Sequence, residues 1–195
     1  MSAVQGDLLR RFLFERWPVR GQFVRLDASW RAVLEHHDYP APVRAALGEA
    51  MAAAVVLAGT LKFRGQLSLQ FQGPGPLHLM LAQCTHRHAI RGVARWRGGQ
   101  APAGSLAGRA RRGPPAVTIE NEERSDRYQG IVPLDQGDLA ACLEGYFQRS
   151  EQLPTRLVLA SDGRHAAGLL LQRVASGAGA SFEEDPRALA EAEDA

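Results

Sequence analysis

Along LLRRFLFERWPVRGQFVRLDA, apolar and polar positions alternate imperfectly around Pro18 and Gly21, which predicts two strands with a turn near WPVRG. Asp27 then stands as the N-cap of a short helix carrying Trp30, Val33 and Leu34. The next stretch, PAPVRAALGEAMAAAVVLAGTLKF, opens with proline and continues through about twenty good helix formers, apolar on nearly every face. A helix apolar all round belongs at the centre of a fold. Its close-set Ala45, Ala46, Ala50, Ala52, Ala53 and Ala54 would let sheets approach it tightly.

Three strand-length runs follow, QLSLQFQG, PLHLMLAQC and AIRGVARW, separated by GPGP and THRH, and together they predict an antiparallel meander. The span from Arg97 to Pro115 is rich in glycine and proline and is expected to be a long mobile loop. Strands resume at AVTIE and RYQGIVPL about a turn in NEERSD. Asp138 then caps a helix whose Leu139, Cys142, Leu143, Tyr146 and Phe147 make one apolar stripe. TRLVLA and AAGLLLQRV form a closing hairpin about SDGRH, with Asp162 and Gly163 supplying the turn. In AAGLLLQRV, Leu169, Leu170 and Leu171 must divide between the two faces of a strand, so either both faces are covered or one is a contact surface. The predicted class is α+β: antiparallel sheets packed around a long buried central helix, with further short helices.

Composition fits a soluble domain, with 45% hydrophobic and 23% charged residues. The longest stretch without a strongly polar residue, Met51 to Leu61, is 11 residues, well short of the roughly 20 needed to span a bilayer. The amino terminus lacks the pattern of a secretory signal, so the expected location is the cytoplasm and no membrane partner is expected. The net charge of +2 conceals a segregation, since residues 183 to 195 hold six acids and one arginine. Residues 1–175 are therefore read as the core domain, and 176–195 as a flexible acidic tail or the start of a linker. Lys62 is the sole lysine and sits in neither a phosphate loop nor an SxxK pair, which argues against ATP-driven work.

Three groups of residues invite chemistry. Cys84, His86 and His88 alternate, and on an extended strand would point to one face as a three-ligand metal site, although THRH falls where the meander must turn. No acid occurs between Glu49 and Glu120, while Lys62, Arg64, Arg87, Arg91, Arg95, Arg97, Arg109, Arg111 and Arg112 supply positive charge. This acid-free region, residues 50–119, is the alternative reading, a surface for a polyanion or RNA, although Trp96 is nearly the sole aromatic available for stacking. His36, His37, Asp38, Ser150, Glu151 and His165 carry no recognised catalytic signature, and His36 and His37 suit a helix C-terminus, so no enzyme activity is expected.

Several strings, WPVRGQFVRLD, LGEAMAAAVVLAGTLKFRGQLSLQFQGPGPLHLMLAQC, RYQGIVPL, YFQRSEQLPTRLVLA and AAGLLLQRV, resemble the 33-kilodalton heat shock protein family of bacterial redox-regulated holdase chaperones. The likeness runs from about Arg10 to Val174. It is most specific in YQGIVPL and YF..SEQLPTR, where Tyr128, Gly130, Pro133, Glu151, Gln152 and Pro154 match without any role attached. The resemblance implies an ATP-independent cytosolic chaperone that binds unfolding client proteins under oxidative or heat stress and works as a homodimer. Leu169, Leu170 and Leu171 are then candidates for client or dimer contact. The family also carries a C-terminal domain whose CxC and CxxC thiolates hold zinc in the reduced, inactive state. None of those cysteines is in this chain, whose Cys84 and Cys142 lie in the core, so no cofactor and no redox switch are expected here, and activity should be constitutive.

Overall fold

The computed structural model describes residues 6–60, 64–97, 116–121, 127–133 and 136–174, with the backbone alone for 116–121 and 127–128. The loop expected over 97–115 and the NEERSD turn lie, apart from their first residues, outside this set, and the acidic tail 176–195 lies wholly outside it.

The strands follow the alternation that predicts them. β1 (Leu8–Leu13) and β2 (Val19–Leu26) form the first hairpin, closed by the Phe14 N–H donating to the Val19 carbonyl at 3.0 Å. α1 (Ala28–Glu35) begins after Asp27 as expected, but the Asp27 side chain makes no capping bond. Asp7 caps it from a distance in sequence. Its Oδ1 accepts from the N–H groups of Asp27 at 2.7 Å and Ser29 at 3.2 Å, and its Oδ2 accepts from the Ser29 hydroxyl.

α2 (Ala41–Thr60) is the central helix, with thirteen of its twenty residues buried. It is longer than the 11-residue stretch because Arg44 and Glu49 interrupt the stretch without interrupting the helix. By length and composition it would suffice to cross a membrane, yet 72% of the relevant window is buried inside the protein. β3 (Gly65–Gln72), β4 (Leu77–Thr85) and β5 (Ile90–Trp96) are the meander. β6 (Ala116–Asn121) and β7 (Arg127–Ile131) extend it on the other side of β3. α3 (Leu139–Tyr146) is capped by Asp138 Oδ1, which accepts from the Ala141 N–H at 2.8 Å, and it continues into a π-helical turn, Phe147–Glu151. β8 (Thr155–Ser161) and β9 (Ala166–Arg173) form the last hairpin, its turn tied by Asp162 Oδ1 accepting from the N–H groups of Arg164 and His165, both at 2.6 Å.

The strands make two antiparallel sheets, one of four strands in the order β1-β2-β9-β8 and one of five in the order β5-β4-β3-β6-β7. α2 packs against β2, β8 and β9 of the first and β3, β4 and β5 of the second, so it lies between them. Both sheets come close at glycines. A Cβ on Gly92 would stand 2.6 Å from the Met51 sulfur, and one on Gly168 would stand 3.2 Å from Val56. The main core is the joint interior of the two sheets around Ala50, Met51, Ala52, Ala53 and Ala54, all fully buried.

Candidate functional site: the outward face of the four-stranded sheet

Register decides which side chains of the four-stranded sheet face away from α2. Val24, Leu26 and Leu170 belong to the main core, so their alternates Val19, Gly21, Phe23, Leu169 and Leu171 face outward. Across β9, Val158 pairs with Leu169 and shares that face. The three leucines therefore part. Leu170 is fully buried in the main core, whereas Leu171, 3% exposed, joins Val19 in a second apolar cluster against which Phe14, Trp17 and Leu169 pack.

This outward cluster is aromatic. Phe12 and Phe14 meet edge-on with centroids 5.7 Å apart, as do Phe14 and Trp17, and the Arg16 guanidinium lies 5.8 Å from the Trp17 ring centroid. Phe12 lies across Gly21, where any side chain would collide with its ring. The cluster is only partly roofed, since Val158 is 59% exposed and Phe12 38%. The four-stranded sheet thus carries apolar side chains on both faces, and the described residues leave the outward face only partly covered.

The residues of the specific motif build a seam between the two sheets. Gly130 of β7 faces the Tyr146 phenol, which a Cβ would strike. The Tyr146 hydroxyl donates to Glu151 Oε1 at 3.1 Å. Gln152 ends the π-helical turn at φ 54°, in the left-handed region, its N–H donating to the Phe147 carbonyl. The Pro154 carbonyl accepts from the Arg173 N–H at 3.0 Å, and Pro133 is exposed after β7. Tyr128 lies on β7 opposite Ile119.

Cys84, His86 and His88 do not converge. The alternation expected of them stops at Thr85, where β4 ends and the chain turns, with the His88 N–H donating to the Thr85 carbonyl at 2.8 Å and His88 at φ 62°. Cys84 points into the core, and burial pushes its thiol up to about 11. His86 Nδ1 lies 3.0 Å from the Gly65 nitrogen. Burial, then the charges of Arg11 and His86, holds His88 below the usual imidazole value. Among the described residues, no three His, Cys, Asp or Glu side chains are disposed to hold a metal ion.

Of the basic residues in the acid-free region, Arg64, Arg87, Arg91, Arg95 and Arg97 are described and all are exposed; Lys62, Arg109, Arg111 and Arg112 lie outside the described residues. The outward face of the five-stranded sheet is mixed: alternation puts the half-buried Leu79, Leu81 and Val93 there beside Ser68, Gln83 and Arg91. Gln83 Nε2 donates to the Ser68 hydroxyl at 2.7 Å, and Arg91 Nε donates to Gln83 Oε1. His36, His37 and Asp38 line one shallow pocket at the end of α1, while Ser150 and Glu151 lie in the π-helical turn and His165 beside Asp162 in the β8–β9 turn. These are three places, not one catalytic group.

The sequence pattern identified the leucine triplet but not the aromatic cluster. Phe12, Phe14 and Trp17 are brought over Val19 and Leu171 by the β1–β2 turn and the β2–β9 pairing, the second of which joins chain segments about 150 residues apart.

Three comparisons with known proteins bear on these features. The family model described as Hsp33 protein matches residues 7–194. A 33 kDa chaperonin of Nitrosococcus oceani is 52% identical over 170 residues, covering 87% of this chain and 58% of that protein. One of Methylobacillus flagellatus is 46% identical over the same coverage. The chain thus spans a little under three-fifths of these curated relatives. A solved structure of the 33 kDa chaperonin from Thermotoga maritima superimposes with a TM-score of 0.71 at 22% identity, over 86% of this chain and 60% of that one, a likeness of fold.

Proposed function

Since this chain belongs to the Hsp33 family, we propose that its 195 residues act as the client-holding core of an ATP-independent chaperone and that unfolding proteins are held on the outward face of the four-stranded sheet. The observation that carries this reading is the half-open aromatic cluster of Phe12, Phe14 and Trp17 over Leu169 and Leu171, with Val158 beside it. An unfolding protein offers side chains that were buried, and each square ångström of apolar area removed from water contributes about 25 cal/mol. Many such contacts, none demanding a fixed shape, hold a client without selecting a sequence.

Activity in this chain is constitutive. The two cysteines of these 195 residues stand in neither a CxC nor a CxxC pair and are both buried, so neither is placed to hold zinc or to act as a thiol switch. The chain works in the cytoplasm as a homodimer, and its exposed arginines give it a weak, salt-sensitive attraction for polyanions.

The test is aggregation of a thermally unfolding client, followed by light scattering under thiol reductant, without ATP, at two salt concentrations and with RNA as competitor. Suppression that changes little with salt and is untouched by RNA is expected, because the force is burial and not charge. Aggregation at its uninhibited rate under a several-fold excess of the protein overturns the reading. Suppression that falls steeply with salt and is competed by RNA transfers it to the basic surface.

A further inference from the structure

At the C-terminal end of α2 the inward face of β1 and β2 opens into a cleft of about 490 Å³. Arg11 pairs with Gln22 and Leu13 with Arg20 across these strands, which by the two-residue period puts both arginines and Gln22 on one face. All three line the cleft, with Gly59 and Thr60 of α2 and Leu170 of β9.

Gln22 is the anomaly. It is 3% exposed, and its Nε2 has no hydrogen-bond partner among the described residues. Of the other fully buried polar residues, Ser68 pairs with Gln83 and Thr155 with Gln172; His78 Nδ1, on a half-buried side chain, is another described atom left without a partner. A buried donor left unpaired costs about 1–3 kcal/mol. Among the described residues on the helix side, the Thr60 hydroxyl is turned to the Leu57 carbonyl, to which it donates at 2.8 Å.

The neighbouring cation is held in place by a relay through the sheet. Arg20 Nε donates to Gln172 Oε1 at 3.1 Å, Gln172 Nε2 donates to the Thr155 hydroxyl at 2.9 Å, and that hydroxyl donates to the Leu153 carbonyl at 2.9 Å. A guanidinium has five N–H donors, so Arg20 retains several after bonding Gln172. Among the described residues, no aspartate or glutamate lines the cleft. The helix end contributes about half a negative charge, against two guanidiniums, so the balance is positive. Leu13 and Leu170 make the remaining wall apolar.

We propose that this cleft binds a carboxylate carried on an apolar body, with Arg20 and Arg11 pairing the carboxylate and Gln22 Nε2 donating to one of its oxygens. A volume of this size suits a small ligand or a few residues of chain. An apolar acid and the free C-terminus of an apolar peptide share this chemistry, and the test separates them.

Titration calorimetry on the full chain would use decanoate, decanol, an N-acetylated leucine-rich tetrapeptide with a free C-terminus, the same peptide amidated, and inorganic phosphate. Saturable binding of decanoate or of the free-acid peptide is expected, at least tenfold tighter than its neutral analogue and than phosphate. Decanoate alone identifies a free apolar acid as ligand, and the peptide identifies a chain terminus. Arg11→Gln, at an exposed residue, and Gln22→Leu, which removes the unpaired donor, should each weaken binding about tenfold, the scale of one charge-assisted hydrogen bond. Gln22→Leu should fold at least as well as the parent, and if it does not, Arg11→Gln carries the test. Binding of decanol as tight as decanoate, phosphate bound as well as either carboxylate, affinity unchanged in Arg11→Gln, or no binding of either carboxylate at millimolar concentration would each overturn the proposal.

Discussion

The two sheets face α2 alike and differ in what their outward side chains do. Inward, each contributes leucines and a close glycine to one shared core, Leu170 and Gly168 from the four-stranded sheet, Leu69 and Gly92 from the five-stranded one. Outward, the four-stranded sheet carries an aromatic cluster that half covers itself, whereas the five-stranded sheet carries Ser68, Gln83 and Arg91 bonded side chain to side chain across β3, β4 and β5. A helix that is apolar all round constrains the inner faces equally and leaves the outer ones free. The outer faces are therefore where the two halves differ in what they can bind.

Four measurements break or sharpen this contrast. The largest effect should be shared by both sheets: Leu170→Ala and Leu69→Ala, each at a side chain no more than 2% exposed, should cost about 3 kcal/mol in urea unfolding, while Leu169→Ala on the outward face costs less than half of that. Equal costs at Leu169 and Leu170 would mean that the outward cluster is as much core as the interior. Next in size is the seam joining the two sheets. Gly130→Ala places a methyl against the Tyr146 phenol and should lower stability by about 1–3 kcal/mol, which Tyr146→Phe in the same chain partly restores by shortening the side chain that the methyl strikes. No restoration would show that the strain lies in β7 itself.

A smaller effect on stability, but the decisive one for client holding, is expected from Val158→Lys with Phe12→Ser. Val158 is 59% exposed, so its replacement alone should change stability by no more than about 0.5 kcal/mol, while the pair raises several-fold the amount of protein needed to stop client aggregation. Arg95→Ser, on the outward face of the five-stranded sheet, should leave that amount unchanged. Parity between the two substitutions would erase the contrast.

The smallest effect concerns Asp7, which lies next to β1. Partial burial pushes its carboxyl up, but the Ser29 hydroxyl and the N–H groups of Asp27, Ser29 and Ala28 together hold it below the ordinary value of 3.8. A depressed carboxyl lends stability above its unfolded value and loses it as pH falls through the folded one. Asp7→Asn should therefore cost about 0.5 kcal/mol at neutral pH, a low figure for a cap because the group is exposed, and the difference from the parent should close as pH drops below 3.8. A gap that persists in acid would assign the cap to shape and not to charge.

What could be read in the sequence was what short-range periodicity encodes. The twenty-residue helix, the meander, the Asp138 cap and the last hairpin follow from spacings within a few residues, and the structure has them where the pattern puts them. The strand triplet Leu169, Leu170 and Leu171 shows how far this goes: alternation requires both faces, and only pairing with β2 says that Leu170 is the one turned to α2. Features made by distant partners were not legible. Asp7 reaches across 20 residues to cap α1 in place of Asp27, and the relay from Leu153 to Arg20 crosses three strands. Cys84, His86 and His88 show the converse failure, since period-two spacing means nothing once the strand has ended at Thr85. The seam at Gly130 was recognisable as a motif, but its physical content needs Tyr146, a residue from another element.

The alanines of α2 give the protein a fixed gauge. With Ala50, Ala52, Ala53 and Ala54 all at zero exposure, the width of this helix sets how far apart the two sheets stand. A helix packed on one side can tilt or lift to admit a larger side chain; this one is gripped from opposite directions and has nowhere to retreat. An added methyl at any of these positions must be absorbed by two sheets at once, so the tolerance of α2 to growth should be lower than its plain composition suggests. Every spacing across the molecule, including that between the aromatic face on one side and the glutamine and arginine face on the other, is then referred to the thickness of a single row of methyl groups.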